Sequence, residues 1–338
     1  MLSTTMRFTT FVKGVRSNFL AVIDASGKPA VVLMLVAATL LEGTACTIQP
    51  RQTTTGSFVW DGIKRTYSVH VPPSSDKPMP LLIAIHGGGG SGERMEDLAL
   101  GGFNTLADRE GFVVVYPDGI EKHWNDGRGN VKYRAHQEKI DDVGFLSALI
   151  ERLAEGGNID KDRVFVTGIS NGAMMSNRLA CDAAGRIKAI APVAGNMPVD
   201  LASHCLPSRP IPVLMISGTN DPLMPWEGGD VHFRRQTFGK VLSVSETIAF
   251  WVRHNHCAAT PVTTWEPDKD PQDGTRVRKE VYAGCENGVE VILYTVEGGG
   301  HTWPGGYRYL PERLIGKTNM DIDANEVIWG FFKKHSMK

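Results

Sequence analysis

Net charge is the first thing this sequence lacks. Over 338 residues the formal charge is −1 and no long run of lysine or arginine occurs. Phosphate backbones are held by clustered positive charge, so no nucleic-acid partner is expected. An apolar run able to span a bilayer is also missing. The stretch AVVLMLVAATLL, Ala30 to Leu41, has only twelve residues, whereas a spanning helix needs about 20. No repeat, coiled coil or long internal linker divides the chain, which favours a single domain with a large core built from the 42% of residues that are hydrophobic. Metal signals are weak too, and no metal is expected. His254-x-His256-Cys257 has metal-like spacing but includes a cysteine expected in a disulfide. The acidic stretch EPDKDPQDG is interrupted by Pro271, and Lys279 stands where a calcium loop closes with Glu, so it reads as a solvated turn.

What is present begins at the amino terminus. Arg7, Lys13, Arg16 and Lys28 precede the apolar run, and Gly43, Thr44 and Ala45 follow it before Cys46. A basic flank, a short apolar core and small residues read as a signal peptide over residues 1–45, although the region before the core is long for one. Cys46 matches the acylated cysteine of a lipoprotein signal except that Gly43 stands where leucine is usual. A lipid anchor there is the single membrane link expected, and residues 46–56 read as a polar linker. Cysteine is scarce, but the four that remain, Cys181, Cys205, Cys257 and Cys285, are even in number. Of the three pairings, proximity favours Cys181 with Cys205 and Cys257 with Cys285, which suits an exported chain, extracellular or periplasmic.

From residue 57 onwards short apolar runs alternate with helical patterns. RTYSVHV, LLIAIHG, FVVVYPDG, VFVTGIS, IKAIAPVAG, PVLMISGTND and VEVILYTVEGGGH read as strands. DDVGFLSALIERLAEGG, GAMMSNRLA, ETIAFWVRHN and ANEVIWGFFKKH read as helices. Such alternation predicts an α/β fold, a mostly parallel central sheet with helices on both faces, in one domain over 57–338. Residues 121–140 and 267–275 are its main insertions. Ligands bind at the carboxyl ends of parallel strands in such sheets.

One of those ends carries Gly168-Ile169-Ser170-Asn171-Gly172, a G-x-S-x-G match that is weak by itself in a glycine-rich chain. A serine becomes a nucleophile only beside a base that an acid orients. Asp221 ends PVLMISGTN and His301 follows the next strand, giving the order Ser, acid, His. His204 precedes the acid, His254 and His256 sit at a helix end, and His335 lies in the last helix. Asp200 is the rival acid, one strand early. HGGGGSG, His86 to Gly92, follows LLIAI and offers backbone amides for an oxyanion hole, from Gly87 or Gly88 together with Asn171. Gly87, Gly89 and Gly92 also satisfy G-x-G-x-x-G, the mark of a dinucleotide-binding oxidoreductase. That reading lacks an acidic residue after the next strand and leaves Ser170, Asp221 and His301 unexplained. A hydrolase-fold protein without catalysis is a further alternative, and the complete set of three argues against it.

Taken together, HGGGGSG, GISNGAMM, APVAG, SGTNDPLMPWEGG and GGGHTWPGG resemble the secreted bacterial esterase family of polyhydroxybutyrate depolymerases, feruloyl esterases and acetylxylan esterases, from about Tyr67 to Lys334. The resemblance implies an α/β-hydrolase fold, ester hydrolysis without a cofactor, and a triad at Ser170, Asp221 and His301. Its substrates are carboxylic esters linked to polysaccharide or polyester. Trp124, Trp226 and Trp303 flank strand-end loops and are expected to stack on an aromatic acyl group or a sugar ring. The chain carries no further binding domain before Lys338, so feruloyl or acetyl esters are expected ahead of solid polyhydroxybutyrate.

Overall fold

The computed structural model describes residues 22–23, 29–30, 53–73, 77–129 and 131–336. The chain divides into two units, Met1–Pro50 and Arg51–Lys338. In the first, Val22–Ile23 (β1) and Pro29–Ala30 (β2) pair antiparallel. The rest of the predicted leader, Cys46 and the polar linker as far as Gln52 lie outside the described residues. The far end of that linker is corrected. Thr53–Trp60 is a strand, β3, whose three leading threonines are β-branched and pair with the end of the next strand, Thr53 opposite His70.

The second unit is built on one ten-stranded sheet. Its further strands are β4 (Ile63–His70), β5 (Met79–Ile85), β6 (Val113–Pro117), β7 (Ile159–Ile169), β8 (Ala189–Val193) and β9 (Val213–Gly218). They are followed by β10 (Gly229–Phe233), β11 (Gln236–Val241), β12 (Val262–Trp265), β13 (Arg276–Tyr282) and β14 (Val291–Glu297). The order across the sheet is β12-β13-β14-β9-β8-β7-β5-β6-β4-β3. The six strands from β14 to β6 run parallel, and an antiparallel pair closes each edge. β10 and β11 form a separate two-stranded hairpin.

The parallel strands are continuous apolar runs because both faces of the sheet are covered. In β5 the side chains alternate between two cores: Leu81, Ile83 and Ile85 enter one, Leu82 and Ala84 the other. The first core is closed by helices Asp142–Ala154, Asn171–Asp182 and Val244–His254, through residues such as Leu146, Leu149, Met175 and Trp251. The second is closed by Gly102–Glu110 and Ala324–Ser336, through Phe103, Leu106, Ile328 and Phe332. Both expected disulfides are present, Cys181–Cys205 and Cys257–Cys285. Among the described residues no helix is long and apolar enough to cross a membrane.

Candidate active site

The turn after β7 is unusually tight. Ser170 has φ 58° and ψ −118°, a left-handed backbone that a non-glycine residue rarely holds, and helix Asn171–Asp182 starts immediately after it. The flanking glycines are required by close approach. A Cβ at Gly168 would lie 2.6 Å from the Ile85 carbonyl oxygen, and one at Gly172 would lie 2.2 Å from the same atom. Strand β5 therefore presses against both sides of the turn. This is the strained strand-to-helix elbow that lifts a serine above an α/β sheet.

Asp221 and His301 come from neighbouring strands. β9 and β14 pair in parallel up to Gly218 and Val296, and the loops beyond them bring the Asp221 carboxylate and the His301 ring together. His301 Nδ1 lies 2.7 Å from Asp221 Oδ2, with both side chains almost fully buried. The other carboxylate oxygen, Oδ1, accepts the backbone N–H groups of Leu223 and Met224, each at 2.8 Å. The carboxylate is thus fixed on one side and aimed at the ring on the other. Tyr309 donates its hydroxyl to the His301 carbonyl at 3.0 Å; burial, with the charge of Asp221 adding to it, raises the phenol well above its ordinary range. The rival acid is elsewhere: Asp200 Oδ2 accepts from the amide of Gly129 at 2.6 Å.

Ser170 and His301 line one cavity of about 560 Å³, together with Gly87, Gly88 and Asn171. In the glycine loop, Gly89 N–H is taken by the Lys122 carbonyl and Gly90 N–H by that of Gly87, which narrows the choice of hole donors to Gly87 and Gly88. A Cβ on Gly87 would touch Ser170 Cβ at 3.4 Å, so this loop lies against the elbow. Its conformation is clamped by His86. Gly119 N–H donates to Nε2 at 3.0 Å, so the ring proton sits on Nδ1, which donates to the Gly87 carbonyl at 2.7 Å.

Burial lowers the His86 pKa from 6.5 to about 4. The unfolded chain therefore binds a proton between these values that the folded chain refuses, and folding stability rises with pH across that interval. Acidification from pH 7 to 4 is expected to cost about 3 kcal/mol through this ring. A His86→Gln variant should show a flatter stability profile in denaturant titrations over the same range. A slope identical to that of the parent chain would contradict this assignment.

The expected tryptophan contacts are corrected. None of Trp124, Trp226 and Trp303 lines the cavity. Trp124 is buried against the His86 ring and donates Nε1–H to the His86 carbonyl. Trp303 is buried edge-on to Phe103 and donates to Asn325, and Trp226 packs against the first core. Their rings are the largest side chains near these loops, and burial of so much apolar surface decides their place. Tyrosine and phenylalanine line the cavity instead: Tyr133, Phe233, Phe238, Tyr307 and Tyr309. Tyr133 is stacked between His123 and Phe238, at ring separations of 3.5 and 5.2 Å.

The weaker sequence signals are absorbed by structure. Asp273 accepts the amides of Thr275 and Met320, and Asp321 those of Lys269 and Asp270. The acidic stretch is therefore fastened by hydrogen bonds to its own backbone and to the segment around Asp321. His254 bonds to the Arg209 carbonyl, and Cys257 is in its disulfide.

A ten-stranded α/β sheet with a serine elbow, an acid–histidine pair and an amide-lined loop at its strand ends defines an α/β-hydrolase. Comparison with known proteins makes it a carboxylic ester hydrolase of a particular family. Residues 65–202 match the family model described as Esterase PHB depolymerase. "Putative esterase NocK" from Nocardia uniformis subsp. tsuyamanensis is 32% identical over 289 residues, covering 82% of each chain. Feruloyl esterase B of Piromyces equi is 30% identical over 237 residues, covering 68% of this chain and 40% of that protein. Among solved structures, the acetyl xylan esterase of Aspergillus awamori shares the fold, with a TM-score of 0.52 at 16% identity over 74% of this chain and 94% of that one. The chain belongs to the Esterase PHB depolymerase family.

Proposed function

We propose that this chain is an exported serine esterase whose triad is Ser170, His301 and Asp221. The observation that carries the reading is Ser170 on its strained turn, opening onto the same cavity as a histidine whose Nδ1 is held by a buried aspartate. Because Nδ1–H is committed to Asp221, His301 takes the serine proton on Nε2 as Ser170 Oγ bonds to the ester carbonyl carbon. The amides of Asn171 and of Gly87 or Gly88 receive the negative oxygen, each donor worth roughly 10² to 10³ in rate. The carbonyl then re-forms, the alkoxy C–O bond breaks, and Nε2–H passes its proton to the departing alcohol. Water, deprotonated by the same ring, cleaves the acyl-enzyme to the free acid and restores Ser170.

The substrate reading is an ester whose acyl group enters this cavity: a feruloyl or acetyl group on polysaccharide, or a short hydroxyalkanoate. The aromatic rings that line the cavity support a planar acyl group. A second reading, attack on polyhydroxybutyrate itself, is favoured by the exposed Leu100 and Tyr307, the latter tied to Leu98 at the cavity wall. Export is supported by the two disulfides, and Cys46 is the candidate for a lipid anchor. The test is a panel of methyl ferulate, acetylated xylan oligomers, hydroxybutyrate dimer and polymer suspension, assayed on culture medium and on washed membranes. The expected result is a kcat/KM for the soluble aromatic or acetyl ester about tenfold or more above the hydroxybutyrate dimer. Clearing of the polymer suspension as the fastest reaction would overturn the substrate reading.

A further inference from the structure

The insertion 121–140 contains a buried carboxylate that the reaction does not use directly. Asp126 is fully buried, and its oxygens are surrounded by donors. Arg128 gives its backbone N–H at 3.1 Å, Nε at 3.0 Å and Nη2 at 2.8 Å; His136 Nε2 lies at 3.0 Å and Asn171 Nδ2 at 2.6 Å. Burial alone would raise this carboxyl, but Arg128 and His136 outweigh it and hold the group well below the usual range. It is an acceptor in every contact.

The contact with Asn171 is the informative one, because Asn171 follows the nucleophile and supplies a candidate oxyanion amide. Its side chain is buried and each of its polar atoms is committed. Oδ1 accepts the Trp124 N–H at 2.8 Å, and Nδ2 donates to the Trp124 carbonyl at 3.0 Å and to Asp126. The same carboxylate reaches the substrate side through Arg128, whose Nη1 donates to the Phe238 carbonyl at 2.6 Å, on the β10–β11 hairpin that walls the cavity. We propose that Asp126 is the positioning residue of the oxyanion hole: it fixes Asn171 by its side chain, so that the amide beside Ser170 is aimed before substrate arrives. This rests on the serine-esterase reading above. A preorganised donor is worth most in the transition state, and a displacement of about 1 Å at such a site can cost about 10²-fold.

The test uses the full-length protein and three variants, Asp126→Asn, Asn171→Ala and the double variant. Turnover of nitrophenyl butyrate and the affinity for butylboronic acid, which forms a tetrahedral adduct on the serine, are both measured. Asp126→Asn is expected to lower kcat by about 10- to 100-fold with KM within about threefold, and to weaken boronate binding in proportion. Asn171→Ala keeps the backbone amide and the Asp126–Arg128 pair, and is expected to show the same two losses. The double variant should be no worse than the poorer single one, since both remove one link. Folded variants with parental kcat and boronate affinity, or with additive losses, would overturn the proposal. If Asp126→Asn does not fold, Asn171→Ala decides alone. Retained turnover in Ser170→Ala would instead sink the serine-esterase reading.

Discussion

Ser170→Ala is expected to lower turnover of a nitrophenyl ester by about 10⁵- to 10⁶-fold and to leave KM and the fold nearly unchanged. The change removes one oxygen from a residue whose backbone, at φ 58°, is held from three sides. Its N–H donates to the Val193 carbonyl, its carbonyl accepts from Met174, and strand β5 presses on both neighbouring glycines. Alanine meets the same steric demand at that φ as serine does, so the elbow should persist. What disappears is the covalent route, since no acyl-enzyme can form without the hydroxyl. The residual rate should be that of the amide donors acting on water, still above background. The parent enzyme should show a burst of nitrophenol equal to one equivalent per chain when deacylation limits, and the variant none. A burst in the alanine variant would assign the nucleophile to another residue.

How much of this was legible in the sequence differs by element. The parallel strands announce themselves because burial on both faces makes them continuous apolar runs, as in LLIAI and VFV. The elbow, the acid and the histidine follow from strand-end position and order. The antiparallel edge formed by β12 and β13 was not legible. Arg276–Tyr282 sets only two valines among four charged residues, Val262–Trp265 is exposed throughout, and neither offers the apolar continuity by which the central strands are recognised. The β10–β11 hairpin was missed for a related reason: its inner side chains Val231 and Val241 pack on Met174 and Met224, a partner set visible only in three dimensions. In the site, Asp126, Arg128, Tyr133 and Phe238 were passed over. A polar insertion reads as solvent-exposed, yet WNDGR packs aromatic, acid and base within five residues, and such density in a strand-end loop was the available signal. Tryptophan misled because ring size predicts burial as readily as it predicts stacking.

Asp142→Ala is expected to destabilise the chain by about 3 to 5 kcal/mol. Asp142 opens helix Asp142–Ala154, and its Oδ1 lies 2.7 Å from Arg65 Nη2, with both side chains buried. Arg65 lies over the Phe145 ring at 3.8 Å. Burial pulls the guanidinium below its ordinary pKa and pushes the Asp142 carboxyl above its own, so each charge is disfavoured where it sits. A pair of this kind contributes little net stability, but removing one member strands the other in the core. Asp142 Oδ2 also accepts the N–H of Asn125, next to Asp126, so its loss should loosen the loop that holds the Asn171 side chain. Replacing both members, Arg65→Met with Asp142→Leu, is expected to cost what the orphaned Asn125 N–H costs, about 1 to 3 kcal/mol, with the long Arg65 bond to the Asp118 carbonyl, 3.3 Å, lost besides. Denaturant midpoints of the single and double variants, with both disulfides intact, check this; a double variant as unstable as the single would show that the pair is itself stabilising. The pH sign separates this pair from His86. A raised carboxyl means the folded chain takes up that proton at least as readily as the unfolded one, so acidification loses no stability through Asp142. The stability lost below pH 6.5 should then come from the buried His86, with the likewise lowered His123 beside it, and remain in the Arg65–Asp142 double variant.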